Sequence, residues 1–140
     1  MAPALERRAL QIAVAVLALV PIVGGLSGAL MGQVPFVAMD PMLQADARGF
    51  NVSLDSHFRY LSGLLLGIGL VAWSTIPAIE RHGTRFRLIT AIVFVGGLAR
   101  LYGVVVMGWP GPPMVFGLVM ELVVTPLLCL WQWRVARAVA

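Results

Sequence analysis

Arg59, Arg100 and Glu121 stand out first, because each lies in an apolar setting where an ionisable group is expensive. Arg59 opens one long apolar stretch, Arg100 lies inside the next, and Glu121 lies inside the last. An arginine offers a planar fork of N–H donors suited to carboxylate or phosphate, so it can pair internally or hold a ligand. A buried carboxylate can serve as its counter-charge or as an acid or base. Near Arg59 the chain also carries Asp55, Ser56, His57 and Tyr60. Asp55 and Arg59 are four residues apart, share a helical face and can pair. Asp55 or Ser56 is also placed to cap the first turn of a helix beginning there.

The elements that must position these residues follow from composition. Sixty per cent of the 140 residues are hydrophobic and 11% are charged, too few charges to coat a soluble domain of this size. A spanning helix needs about 20 mostly apolar residues, and four stretches qualify, at roughly 9–32, 57–77, 86–107 and 113–133. None shows the alternating polarity of a barrel strand. The expected fold is therefore all-α: an integral membrane four-helix bundle in which residues 1–140 form a single domain. Arg7-Arg8 before an apolar run invites a signal-peptide reading, but the run is long and lacks a clean cleavage site, so the first stretch reads as a true span.

The net charge of +4 rests on ten arginines and no lysine. Arg7, Arg8, Arg81, Arg85, Arg87, Arg134 and Arg137 flank the apolar stretches on one side, against Arg48 alone on the other. That asymmetry places both termini and the 78–85 turn in the cytoplasm, with 33–56 and 108–112 outside. It argues for contact with membrane lipids and against a nucleic-acid partner. The long 33–56 segment is rich in Pro, Phe and Met, and reads as a short interfacial helix folded over the outer mouth as a lid. Cys129 has no second cysteine and reads as a packing residue. Nothing in the chain has metal-ligand spacing, and no cofactor is implied.

Glycines mark close helix contacts. Gly24, Gly28 and Gly32 recur along the first stretch, either against another helix of the chain or as a homodimer seam. Gly63, Gly67 and Gly69 suggest a second such surface, and Pro21 a kink. Counting 1.5 Å per residue places Arg100 about 10 Å and Glu121 about 12 Å from the same edge. The third and fourth helices are antiparallel neighbours, so Arg100 and Glu121 can meet, with Gly96 and Gly97 leaving room for the guanidinium. Arg59, His57, Tyr60 and Asp55 would sit one layer further out.

His57-Phe58-Arg59-Tyr60-Leu61-Ser62-Gly63, Gly96-Gly97-Leu98-Ala99-Arg100-Leu101 and the late Glu121 together resemble the bacterial membrane family called domain of unknown function 4345. A looser likeness runs to DoxX-like four-helix membrane proteins, some associated with quinone-linked redox systems. The resemblance implies a short four-helix protein with Arg59, Arg100 and Glu121 as its matched positions. The functional expectation is a bacterial inner-membrane, multi-pass protein binding a lipid or quinone-like molecule, with an anionic or carbonyl group, in an outward-facing pocket. Arg59, Arg100, Glu121, His57, Tyr60 and Asp55 would line it. Two alternatives stand beside this: an isomerase- or cyclase-type enzyme using Glu121, and a structural or accessory subunit whose ion pairs set helix register.

Overall fold

The computed structural model describes residues 3–39 and 52–139. Helix α1 runs Pro3–Met31, a short α2 covers Val34–Met39, and α3 spans Val52–Trp73. A single 3₁₀ turn at Ile76–Ala78 leads into α4, Gly83–Met107, and then α5, Pro112–Val119. A π-helical turn at Met120–Val124 joins α5 to α6, Thr125–Val139. Four helical spans are long and apolar enough to cross a membrane. Only 6–22% of each apolar window is buried, so the molecule turns most of its hydrophobic surface outward.

The helices overrun the apolar stretches because their ends carry polar residues that still favour helix. α1 begins at Pro3, a residue whose fixed φ suits a first turn, and continues through Pro21 as one helix. α3 begins three residues before Asp55, so Asp55 lies inside the first turn and is not the cap. Its carboxylate is taken by Arg59 instead. Of the 33–56 segment, α2 is a six-residue helix, and the lid expected there falls largely on 40–51, outside the described residues.

α1 and α3 pack along each other intimately, and α4 pairs with the α5–α6 rod, while α3 and α4 meet sparsely. Glycines explain the first pair. A methyl added at Gly25 would lie 2.5 Å from the Leu66 backbone nitrogen and 2.7 Å from the Ser62 carbonyl oxygen. Gly28 faces the Ser62 side chain, and Gly32, at φ +64°, faces Asp55 and Arg59. Gly24 has open space beside it, so the close-approach surface is Gly25, Gly28 and Gly32. On α3 only Gly69 reciprocates, against Ile22, while Gly63 and Gly67 touch nothing nearby. At 3.6 residues per turn, Gly69 shares a face with Ser62 and Leu66, and Gly63 and Gly67 do not.

The buried core sits at the end carrying the chain termini: Leu10, Val14, Ile79, Phe86 and Val135, with Cys129 packed against them. A polar network closes this end. Arg134 Nε donates to Glu6 Oε1 at 2.7 Å and Trp131 Nε1 donates to the same oxygen at 3.2 Å. Arg7 Nε donates to Glu80 at 2.8 Å, Gln11 to the Ile76 carbonyl at 2.7 Å, and Gln132 to the Ile79 carbonyl at 2.9 Å. These groups tie α1 and α6 to the turn after α3, whose carbonyls would otherwise lack partners.

Glu80 carries a pH signature. Burial raises its pKa, but its own backbone N–H, the hydrogen bond from Arg7 and the charges of Arg7 and Arg81 together outweigh burial and hold the carboxyl below its usual range. A depressed folded-state pKa adds stability at neutral pH that is lost as pH falls through that depressed value. Wild type should therefore melt above Glu80→Gln at neutral pH in detergent. That margin should shrink only below the usual carboxylate range. A margin independent of pH would remove Glu80 ionisation as its cause.

Candidate functional site

Two ion pairs occupy the half of the molecule away from the termini, and the structure keeps them apart in role. On α3, Arg59 Nε donates to Asp55 Oδ2 at 2.6 Å. The Arg59 Nη1 group donates to the Ala29 and Leu30 carbonyls at 3.1 and 2.7 Å. Those carbonyls belong to the last turn of α1, which has no intrahelical donor left for them. Arg59 thus caps α1 from the side and neutralises Asp55 in the same gesture. Gly32 is required here: its left-handed backbone turns the chain away and leaves space for both side chains. His57 and Tyr60 are exposed on the other side of α3, their rings 6.4 Å apart.

On α4, Arg100 faces Glu121 in a two-pronged pair. Nε donates to Glu121 Oε2 and Nη2 to Oε1, each at 3.0 Å. Nη1 points to the sulfur of Met114 at 3.2 Å. This fork-to-carboxylate geometry is the strongest form of the arginine ion pair. The room for it comes from the facing helix. A methyl at Gly117 would lie 3.8 Å from Arg100 Cζ and from Glu121 Oε1, so the pair lies across Gly117. The expectation that Gly96 and Gly97 would provide that room is corrected: Gly97 packs against Leu122 and the Glu121 stem, and Gly96 opens onto a cavity.

Glu121 owes its direction to an irregular turn. Pro126 has no N–H and its ring crowds the carbonyl four residues earlier, so an unbroken α-helix is unfavourable through 122–126. The chain responds with a π turn in which the Thr125 N–H reaches back to the Met120 carbonyl, supported by Thr125 Oγ1 at 2.8 Å. Glu121 sits in the first part of that wider turn. π turns are rare and frequently coincide with functional positions.

Between the α1–α3 pair and the α4–α6 half lies a cavity of about 470 Å³. All four long helical segments contribute to its wall, through residues such as Leu17, Leu65, Ile68, Val93 and Phe116. Among the described residues, Arg100 and Glu121 are the only ionisable ones lining it. Thr90 adds a hydroxyl whose oxygen is buried and has no hydrogen-bond partner among the described residues. A second cavity of about 270 Å³ lies between the end of α4 and the start of α5, and it shares Arg100 and Met114 with the first. Asp55, His57, Arg59 and Tyr60 line neither cavity. The six residues expected to share one pocket therefore divide into a cavity-lining pair, the Asp55–Arg59 pair at the end of α1, and His57 and Tyr60 exposed on the other side of α3. Helical periodicity within α3 could not reveal that, because Arg59 turns toward α1. Gly117 and Met114 were legible in principle, lying four and seven residues before Glu121 on its own face.

These features define a small all-α protein with a fork-paired arginine and glutamate on the wall of an apolar cavity. The model of the family described as "Domain of unknown function (DUF4345)" matches residues 9–132, and the chain belongs to that family. No curated protein and no solved structure matches the chain.

Proposed function

We propose that this is a multi-pass protein of the bacterial inner membrane that holds a lipophilic small molecule, a lipid or quinone-like compound, in its central cavity. The apolar outer surface suits hydrocarbon, and the arginines at the termini end favour a cytoplasmic position for that end. One observation carries the binding reading: a cavity of about 470 Å³, apolar except for Thr90, Thr125 and a neutralised Arg100–Glu121 pair. Ligand sites are typically cavities of roughly 300–1,000 Å³ with apolar walls and a few placed polar groups. Both Glu121 oxygens are engaged by Arg100, which favours a fixed counter-charge over a proton shuttle.

Gly96 supplies the test. It lines the cavity and has nothing within 4 Å of an added Cβ, so a leucine there enters the open volume without a clash at Cβ. Helix propensity also improves on replacing glycine. Native mass spectrometry of detergent-purified protein should show an adduct on wild type that is lost in Gly96→Leu at an equal or higher melting temperature. The same adduct on both proteins, or none on wild type, would refute the cavity as its site.

A further inference from the structure

We infer that the cavity selects a neutral lipophilic carbonyl compound, an ester or ketone, whose oxygen accepts a hydrogen bond from Arg100 Nη1. This rests on the binding reading above and adds the chemistry of the head group. The guanidinium spends Nε and Nη2 on Glu121, leaving Nη1, among the described residues, with only the Met114 sulfur at 3.2 Å. A thioether is a weak acceptor, so that donor is the least satisfied polar group of the pair. A carbonyl oxygen would replace it with a stronger partner at no cost in charge.

Charge balance decides against an anion. Arg100 and Glu121 sum to zero, and no other ionisable group among the described residues lines the cavity. A carboxylate or phosphate head would leave a net negative charge among apolar walls, which is costly unless paired. Arg59 is committed to Asp55 and to the end of α1. A plain hydrocarbon fits the walls but offers Nη1 nothing. The shape agrees with a head and a chain. Arg100 and Met114 form the boundary between the larger cavity and the smaller one of about 270 Å³. An alkyl chain can lie along α4 toward Thr90, ten residues and so about 15 Å from Arg100, with the small end of the ester on the other side.

The test compares radiolabelled methyl dodecanoate, dodecanoate and tetradecane by equilibrium binding to the protein in lipid nanodiscs, with empty discs subtracted and the acid kept ionised. Gaining a hydrogen bond to a charged donor should make the ester bind about tenfold more tightly than either of the others. Met114→Leu removes the competing sulfur while conserving volume, so it should tighten the ester more than it changes tetradecane. Dodecanoate binding as well as the ester, or an ester affinity unaltered by Met114→Leu, would overturn the carbonyl assignment. Equal binding of all three that is abolished by Gly96→Leu would overturn it too, while sparing the cavity. No binding above empty discs would remove both readings together.

Discussion

Glu121→Leu should be the most damaging single substitution at the cavity, lowering stability by about 3 kcal/mol, the low end for breaking a buried pair. The cost arises less from the lost attraction than from what remains. With Glu121 gone, the Arg100 fork faces Gly117, Met114 and apolar wall. The low end applies because the Arg100 side chain keeps 35% of its surface accessible, which lets part of the charge be relieved by water or head groups. Joint replacement separates the pair's net value from the penalty of orphaning one partner. Arg100→Met with Glu121→Leu should recover most of the loss, since apolar residues often substitute for a buried pair at little cost. Thermal unfolding in detergent of both singles and the double provides the cycle. A double variant as unstable as the singles would mean that the pair contributes more than mutual neutralisation.

The second large effect concerns packing. Gly25→Ala should cost about 1–3 kcal/mol, because an added methyl meets backbone atoms that no rotamer change can move. Those atoms are the Leu66 nitrogen at 2.5 Å and the Ser62 carbonyl oxygen at 2.7 Å, so α1 and α3 must separate. The consequences reach the Arg59 group, whose bonds to the Ala29 and Leu30 carbonyls depend on that approach. Gly24→Ala is the matched control one residue away, with nothing within 4 Å of its added carbon. It should be neutral or slightly stabilising, as expected from helix propensity. Equal melting temperatures for the two variants would mean that α1 and α3 are not held at this distance.

The sequence reveals most where one helix or one short connection contains the whole interaction. Asp55–Arg59 follows from a spacing of four on α3, and Arg100–Glu121 from two helices joined by a short turn, with matching depths counted from it. The termini-end network was harder to see. Glu6 meets Trp131 and Arg134 across more than a hundred residues, and no local spacing signals such a contact. Gln11 likewise reaches from α1 to a carbonyl of the turn after α3, a partner 65 residues away.

By itself, the sequence determined an all-α fold with four spans long and apolar enough to cross a membrane and with costly charges at Arg59, Arg100 and Glu121. Those conclusions rest on residue type and on periods of a few residues, which are local properties of a helix. Only the tertiary structure decided which charge faces what. Rotation of each helix about its axis is set by where neighbours can approach: backbone against backbone at Gly25 and Gly69 on one pair, and side chains seated on Gly97 and Gly117 on the other. That packing turns Arg59 toward the end of α1 and Arg100 onto the cavity wall. The same residue type thereby takes two roles: Arg59 secures a helix end, and Arg100 pairs with Glu121 on the cavity wall.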